Sequence, residues 1–579
     1  MRYLEPDRRT LPPDVSVFFV DQPRGPSERA KVSRRSRRRP NLVGARWRIV
    51  LLASIGVALV LGAVARSAPH RALSFAATKS YRTDGEGDLA MADLNGDGRP
   101  DLVSLVDTLS VLLNRGDGRF APRRHYATGG AASLAIRDLN GDGKSDLATA
   151  NWNHTVSVLL NRGDGRFAPR RDYATGAGTG ELAVADLNGD GKPDLVTANS
   201  DAGTISVLLN RGDGRFAPRS DYATGADLGY ATLRVADLNG DAEPDLVSAS
   251  KRGDTASVLL NQGDGTFGAK HDYSTSGPGL SSVTLADLNG DHKPDLATAN
   301  FEAHTVSVLL NRGDGSFAPR RDYATGAGTG ELAVADLNGD KKPDLVTPNN
   351  VNTVSVLLNR GDGRFAPRRH YATGAGPGSL TLADLNGDGK PDLTSVNAGP
   401  DTFSVLLNRG NGSFATRRDY PTGVFADDLE IADLNNDGKP DLITSYDYRS
   451  PDSNTISVLL NRGNGGFLPR ADYRTGGSVL PIAIADLNGD RRPDLVTEDG
   501  DSVFVLINKP GLCNVQRVTG MVLAAAKRKL ARVNCRVGKV ISYSTRVRRG
   551  RVISQKPKFG AVRLKGAKVN LVISRGRKR

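Results

Sequence analysis

The chain has 579 residues, too many for one ordinary domain, and a formal net charge of +14. The charge is distributed unevenly, with +8 on residues 1–48, −16 on residues 73–511 and +20 on residues 512–579. A large acidic body between two basic ends is unlike a simple nucleic-acid binder, so no nucleic-acid partner is expected.

The N-terminal part predicts export. Residues 1–48 are rich in Arg and Pro and show no helix or strand period, which is typical of a disordered tail. Residues 49–65 carry no charge, and a membrane span needs about 20 residues, so residues 49–66 are predicted to form a transmembrane helix. Because basic residues crowd its N-terminal side, the tail is placed in the cytoplasm and the rest outside. A cleaved signal peptide is the alternative, and it would leave a secreted protein.

An acidic loop recurs through the body of the chain. In the copy at residues 186–194, oxygen-bearing side chains stand at positions 1, 3, 5 and 9, which are Asp186, Asn188, Asp190 and Asp194. With the carbonyl of position 7 they offer the oxygen ligands that Ca²⁺ takes at roughly 2.3–2.6 Å. Gly191 at position 6 permits the sharp turn. A plain turn is the alternative, but it does not explain four fixed oxygen positions.

Nine copies of this loop are present, and each is predicted to bind calcium. The predicted ligands are Asp93, Asn95, Asp97, Asp101, Asp138, Asn140, Asp142, Asp146, Asp186, Asn188, Asp190, Asp194, Asp237, Asn239, Asp241, Asp245, Asp287, Asn289, Asp291, Asp295, Asp336, Asn338, Asp340, Asp344, Asp384, Asn386, Asp388, Asp392, Asp433, Asn435, Asp437, Asp441, Asp486, Asn488, Asp490 and Asp494. Ala242, His292, Lys341 and Arg491 replace Gly at position 6, and their sites are expected to bind more weakly because a side chain disfavours positive φ.

Each repeat also predicts four short strands, which in one unit lie at residues 181–185, 194–198, 204–209 and 216–222. Four strands at a period of 45–53 residues are typical of a β-propeller blade. A matching fourth strand precedes the first loop, at residues 75–81, and the ninth repeat lacks one. The N-terminal strand is therefore expected to complete the last blade and close an all-β ring of about nine blades over residues 73–511.

Two other features recur with the repeats. A tyrosine in each fourth strand is predicted to pack between neighbouring blades rather than to stack on sugars. Arg-Gly-Asp occurs in several turns before the fourth strands, but Gln262, Asn411 and Asn464 replace Arg or Asp in equivalent turns. This exchange favours a role in turn formation over one in adhesion.

Residues 512–579 predict a small α+β module, with one helix over 520–530 and strands over 540–545, 552–555 and 568–574. The chain's two cysteines, Cys513 and Cys535, both lie here. They are predicted to form a disulfide in an oxidising compartment, and a pair of buried free thiols is the alternative.

Two family resemblances rest on these motifs. Asp-Leu-Asn-Gly-Asp-Gly-x-Pro-Asp-Leu, followed by Ser-Val-Leu-Leu-Asn-x-Gly-Asp-Gly-x-Phe, resembles the FG-GAP/VCBS repeats, which include the calcium-binding blades of integrin α-subunits. Residues 512–579 resemble a PASTA domain through Val518-Thr-Gly, Gln555-Lys-Pro and the final strand. The first resemblance implies an extracellular ligand-binding propeller, and the second implies contact with peptidoglycan.

The sequence thus predicts a non-enzymatic, membrane-anchored propeller at the cell surface. Its calcium-bound ring would bind an extracellular protein or glycan, and its PASTA-like tail would contact peptidoglycan or another anionic wall polymer. A secreted polysaccharide-active enzyme or lectin and a structural cell-wall spacer are the alternatives. No nucleophile–base pairing or zinc motif favours an enzyme.

Overall fold

The computed structural model describes residues 73–577 apart from short gaps at 84–87, 106–107, 226–230, 251–253, 278, 398, 400, 424–425, 447–449, 451–452, 478–480, 500, 510–511, 532–534 and 565–566. The predicted basic tail (1–48) and membrane span (49–66) lie outside the described residues. Within the described part, no helix is long and apolar enough to cross a membrane.

The repeats fold into short strands. In chain order the first strands are β1 Lys79–Arg82, β2 Asp88–Ala92, β3 Asp101–Leu105, β4 Thr108–Leu112, β5 Arg124–Ala127, β6 Ala131–Arg137, β7 Asp146–Asn151, β8 Thr155–Leu159, β9 Arg171–Ala174, β10 Thr179–Ala185, β11 Asp194–Asn199, β12 Thr204–Leu208, β13 Ser220–Ala223, β14 Ala231–Ala236, β15 Asp245–Ser250, β16 Thr255–Leu259 and β17 His271–Ser274. The following strands are β18 Leu280–Ala286, β19 Asp295–Asn300, β20 Thr305–Leu309, β21 Arg321–Ala324, β22 Ala333–Ala335, β23 Asp344–Asn349, β24 Thr353–Leu357, β25 Arg369–Ala372, β26 Pro377–Ala383, β27 Asp392–Asn397, β28 Thr402–Leu406, β29 Arg418–Pro421, β30 Ala426–Ala432, β31 Asp441–Tyr446, β32 Thr455–Leu459, β33 Ala471–Arg474, β34 Ile482–Ala485, β35 Asp494–Asp499 and β36 Ser502–Leu506.

These strands form nine four-stranded sheets in the described part of the chain, all with antiparallel neighbours. Sheet 1 consists of β2–β5, each following group of four strands forms the next sheet, and sheet 8 consists of β30–β33. Sheet 9 has the order β1-β36-β35-β34, with Lys79 opposite Val505 and Arg82 opposite Ser502. The prediction that the N-terminal strand completes the last sheet is confirmed.

Neighbouring sheets pack face to face through apolar clusters. Sheets 2 and 3, for example, share a core that includes Val156, Leu182 and Leu195. Sheet 9 packs in the same way against sheet 1, where Val503 and Leu102 lie in one cluster. The second strand of most sheets is buried along its whole length because it has a sheet on either side. The arrangement is that of a propeller.

The fourth strands are shorter than the sequence predicts. In sheet 3 the strand begins at Ser220 rather than at Phe216. Phe216 instead forms an isolated bridge with Asn210 that closes the preceding turn. Pro218 separates the two segments, and because proline has no N–H, it cannot donate to the sheet there.

The C-terminal module is α+β, as predicted. Its elements are β37 Leu512–Asn514, α1 Leu523–Ala531, β38 Arg536–Tyr543, β39 Val552–Lys556, β40 Val562–Leu564 and β41 Lys568–Ser574. β41 lies between β38, which is parallel to it, and β39, which is antiparallel. Ala526 and Leu530 of α1 and Leu571 of β41 are buried in one core. Two short strands, β37 and β40, were not predicted, because three-residue strands show too little periodicity to detect.

Candidate metal centre

The nine acidic loops each lie between the first and second strands of a sheet. In the loop at residues 186–194, Asp186 at position 1 accepts hydrogen bonds from the backbone N–H groups of Asp190 and Gly191, at 3.1 and 2.8 Å. Asn188 at position 3 accepts one from the N–H of Asp190 at 3.1 Å. The side chains of the first three predicted ligands therefore lie close together, because each accepts backbone N–H groups of the same short loop.

Position 9 is placed differently. All nine of its aspartates are fully buried at the start of a second strand. In Asp194, Oδ2 accepts a hydrogen bond from the N–H of Leu187 at 2.8 Å, and Oδ1 accepts one from the N–H of Asn210 at 2.6 Å. This aspartate therefore holds the loop against the end of the third strand of its own sheet.

The carboxylates of one loop repel one another. Burial raises the pKa of Asp194 to about 6, hydrogen bonds from Asn210 and Leu187 oppose the rise, and the charges on Asp190 and Asp186 add to it. Burial and like-charge neighbours raise the pKa of Asp494 to about 7 by the same route. A dication beside the three carboxylates would relieve this repulsion.

The donor set fits a hard cation. The four predicted ligand positions of each loop supply carboxylate and amide oxygens and no thiolate or imidazole, which is the chemistry that Ca²⁺ prefers. The described residues, however, contain no group of three or more His, Cys, Asp or Glu side chains already arranged to hold a metal. In two loops a lysine ammonium lies 2.9 Å from the position-5 carboxylate, in the pairs Lys144–Asp142 and Lys192–Asp190.

Position 6 has the same backbone conformation in all nine loops. Gly191 has φ of +79°, and the four residues that replace glycine also have positive φ: Ala242 at 72°, His292 at 67°, Lys341 at 65° and Arg491 at 62°. These four loops hold an L-residue in the left-handed region, which costs roughly 1–2 kcal/mol per residue.

The eighth loop departs from the others. Asn436 replaces glycine at position 4, and its Nδ2 donates to the backbone carbonyl of Arg491 in the ninth loop at 2.7 Å. The side chain of Asp437 at position 5 is fully buried, whereas that of Asp190 is 31% exposed. Burial raises the pKa of Asp441 in this loop to about 8.

An asparagine at the end of each third strand links the loops of neighbouring sheets, and the sequence did not reveal this role. Nδ2 of Asn210, in sheet 3, donates to the backbone carbonyl of Leu139, in the acidic loop of sheet 2, at 2.8 Å. Leu139 is the equivalent in sheet 2 of Leu187 in sheet 3. The same bond recurs at every junction between sheets; the donors are Asn114, Asn161, Asn210, Asn261, Asn311, Asn359, Asn408, Asn461 and Asn508. The only signal was the recurrence of Asn after Ser-Val-Leu-Leu, because the acceptor is a backbone carbonyl.

The predicted tyrosines pack between sheets. Tyr81 of sheet 9 meets Phe120 of sheet 1 edge to face, with ring centroids 5.5 Å apart, and its hydroxyl accepts the N–H of Phe120 at 3.1 Å. Equivalent edge-to-face pairs occur at the other junctions. This confirms the packing role over a ring of sugar-stacking aromatics.

The five Arg-Gly-Asp triplets that precede fourth strands form turns. In the first, Gly116 and Gly118 have φ of +79° and +69°, and Asp117 accepts a hydrogen bond from the N–H of Arg119 at 3.1 Å. The glycines and the aspartate are therefore needed by the turn itself.

Comparison with solved structures finds distant likenesses. The chain is similar to Saccharomyces cerevisiae Sqt1 (12% identity, 69% of this chain and 97% of that one, TM-score 0.44). It is also similar to an Agrocybe aegerita lectin that recognises non-reducing terminal N-acetylglucosamine (22%, 57% and 94%, TM-score 0.38) and to the V. cholerae biofilm matrix protein Bap1 (14%, 76% and 89%, TM-score 0.36). These likenesses assign no activity. No curated protein is similar enough to match.

Comparison with family models is decisive for most of the chain. The PASTA domain model matches residues 514–575. The FG-GAP-like repeat model matches eight segments, at residues 93–148, 138–197, 186–248, 237–298, 287–347, 336–395, 384–444 and 447–497. The chain therefore belongs to the FG-GAP-like repeat family, and it ends in a PASTA domain.

Proposed function

We propose that this protein is a non-enzymatic, membrane-anchored cell-surface receptor or adhesin, with a calcium-stabilised ring of nine blades and a wall-contacting tail. Its ring binds an extracellular protein or glycan, and its PASTA domain contacts peptidoglycan or another anionic wall polymer. The observation that carries the proposal is the union in one chain of FG-GAP-like repeats and a PASTA domain, which both point outside the cell. The apolar segment at residues 49–65 supplies the anchor.

The nine-bladed ring is supported by its junctions. Sheet 9 meets sheet 1 through an apolar cluster, an edge-to-face aromatic pair and an asparagine bond, as neighbouring sheets do elsewhere. A single closed ring explains why the junction between the first and last sheets repeats the features of the internal ones.

Calcium is proposed to hold the loops together. When bound, the ion supplies positive charge among three carboxylates, two of which, Asp186 and Asp190, otherwise help to raise the pKa of the third, Asp194. Calcium titration of the full chain should give nine sites, and Asp186→Ala should remove one. Asp213→Ala, which changes a turn aspartate outside the loops, is the matched control and should leave nine. If the thermal midpoint of the full chain is equal in millimolar calcium and in EGTA, the structural role of calcium is wrong.

The C-terminal domain is proposed to be cross-linked by a Cys513–Cys535 disulfide. Cys535 is 3% exposed in the domain core, and the described residues include no free cysteine. Mass spectrometry of the unreduced protein after proteolysis should find the two peptides joined. Free thiols at both positions would refute the cross-link.

The ligand is to be found with arrays of glycans and extracellular proteins. Saturable binding by the full chain that is lost when calcium is removed is the expected result. Absence of any saturable ligand would favour a structural spacer, and turnover of a cell-wall or plant glycan would show that the protein is an enzyme. Sedimentation with purified peptidoglycan, stripped of attached anionic polymers, tests the wall contact separately.

A further inference from the structure

The C-terminal domain carries a large charge that nothing within it neutralises. Residues 512–579 contain 20 Lys and Arg and no Asp or Glu. The ring is different, since many of its arginines and lysines pair with nearby aspartates, such as Arg219 with Asp221 at 2.7 Å. No such pair can form within the C-terminal domain, so its cations remain available to an external anion.

Five of these arginines gather at one end of the domain. Arg546, Arg548 and Arg549 lie in the turn between β38 and β39, and Arg575 and Arg577 follow β41. All five are exposed. We call these five residues the arginine cluster.

Backbone contacts hold the two segments of the cluster together. The N–H of Thr545 donates to the carbonyl of Gly576 at 3.1 Å, and the N–H of Gly550 donates to the carbonyl of Ser574 at 2.8 Å. Oγ of Ser574 also donates to the carbonyl of Val547 at 2.6 Å. The turn is thus fixed at both its ends and its middle, so its arginines project from an ordered main chain, which lowers the entropic cost of binding.

The surface beside the cluster is partly apolar. Tyr543 is 57% exposed and Val547 is 39% exposed. Nε of Arg575 donates to Oγ of Ser542 at 2.7 Å, which holds that guanidinium along the edge of β38. The patch therefore combines several fixed cations with a small apolar strip, as suits a polymer with a carbon backbone and regularly spaced anions.

The chemistry of arginine favours phosphate at this patch. The cluster contains arginine alone, and guanidinium forks match the oxygens of phosphate in a bidentate manner. A phosphodiester has two free oxygens, as a carboxylate does, so binding of polyglutamate is the comparison that separates the two anions. A single exposed tyrosine is a poor platform for the stacked bases of a nucleic acid.

We infer that the arginine cluster binds an extracellular polyol phosphate polymer, with phosphodiester groups between the five guanidinium groups. This inference rests on the proposed export of the domain and specifies the anionic polymer that the tail would contact. It does not depend on binding to peptidoglycan itself, which is tested with sacculi free of such polymers.

The test measures binding of the full chain to synthetic poly(glycerol phosphate). The triple variant Arg546→Gln, Arg548→Gln, Arg549→Gln should bind about tenfold more weakly or worse. The slope of log affinity against log salt should fall by about two, since each lost phosphate contact accounts for about 0.7. The control variant Lys527→Gln, Arg528→Gln, Lys568→Gln removes the same charge elsewhere in the domain and should lose less than threefold.

Further arms distinguish the possible outcomes. A variant with lysine at positions 546, 548 and 549 keeps the charge but loses the forks, and intermediate affinity supports the inference. Equal losses in the cluster and control variants would mean that only diffuse charge attracts the polymer, which overturns it. Equal or tighter binding of polyglutamate or of single-stranded DNA with the same number of charges would also overturn it. Thermal unfolding of each variant confirms that the exposed substitutions leave the domain folded.

Discussion

Asn114 donates a hydrogen bond from Nδ2 to the backbone carbonyl of Leu487, 2.9 Å away, although the two residues are 373 positions apart in the sequence. The bond joins the third strand of sheet 1 to the acidic loop of sheet 9. The chain passes from sheet 9 to sheet 1 only through β1, whose place in sheet 9 depends on noncovalent pairing with β36. The asparagine bond therefore supports the one junction at which the connecting strand, β1, is held in its sheet by noncovalent pairing alone.

We predict that Asn114→Ala destabilises this junction. The variant leaves the buried carbonyl of Leu487 and the half-buried carbonyl of Pro100 without this donor, and the N–H of Gly116 without this acceptor. The free energy of unfolding should fall by about 2–4 kcal/mol, measured in urea with calcium present.

Asn261→Ala is the matched control at an internal junction, where Nδ2 donates to Leu187 and Pro244. It should lose a similar free energy of unfolding. Only Asn114→Ala should speed hydrogen exchange in β1 and β36, because only that junction depends on a noncovalent strand. Equal exchange in the two variants would contradict the special role of the Asn114 junction.

Tyr81 and Phe120 are predicted to be energetically coupled. Their rings meet edge to face, and the hydroxyl of Tyr81 accepts the N–H of Phe120. A double-mutant cycle with Tyr81→Ala and Phe120→Leu should give a coupling energy of about 0.5–1.5 kcal/mol. The cycle of Tyr81→Ala with Phe267→Leu, whose ring packs against Tyr222, should give none. Coupling of equal size in both cycles would indicate a general loss of stability instead.

The sequence predicted the repeat better than the contacts between repeats. The strand pattern and the role of β1 followed from local periodicity. Each strand shows an alternation of apolar and polar residues, or a continuous apolar run, within a few residues of sequence. The bond from Asn114 to Leu487 was not predictable, because any residue supplies the carbonyl that accepts it. The burial of Asp194 was missed for a related reason: its partners are the backbone N–H groups of Leu187 and Asn210. The arginine cluster needed the fold to bring residues 546–549 and 575–577 together.

The loops with and without glycine at position 6 offer a reciprocal test of backbone strain. Lys341 has φ of 65°, whereas Gly191 has φ of +79° and would place a Cβ in open space. Lys341→Gly should therefore raise the free energy of unfolding by about 1 kcal/mol, and Gly191→Lys should lower it by about as much. Both are measured with EGTA, so that metal affinity does not contribute. The same sign for the two variants would show that side-chain contacts outweigh the backbone term.

A second comparison of these loops concerns calcium affinity. If strain at position 6 weakens binding, Lys341→Gly should tighten the site at residues 336–344 by about tenfold for each 1.4 kcal/mol relieved on binding. Isothermal titration of the variant and the natural chain would show the change. One site would move from the weaker group, the loops without glycine at position 6, to the tighter group, the loops with glycine there. An unchanged titration would mean that the loop is equally strained with and without the ion.

The stability of the calcium-free protein should fall as the pH rises through about 6. Burial raises the pKa of Asp101, Asp194 and Asp295 from 3.8 to about 6, so the folded state holds these protons where the unfolded chain has lost them. Their contribution to stability is fully present below about pH 4 and disappears as the pH rises through the folded-state pKa. Ordinary aspartates are already ionised at pH 5, so the interval from pH 5 to 7 reports mainly on these buried groups and on the seven histidines.

Urea unfolding in EGTA should thus show a lower free energy of unfolding at pH 7 than at pH 5, and saturating calcium should reverse the slope because the ion competes with the protons for the same carboxylates. Replacement of all seven histidines by Gln separates their contribution, and the slope in EGTA should survive that variant. Stability that rises from pH 5 to 7 without calcium would contradict the raised pKa values and, with them, the electrostatic case for a cation in each loop.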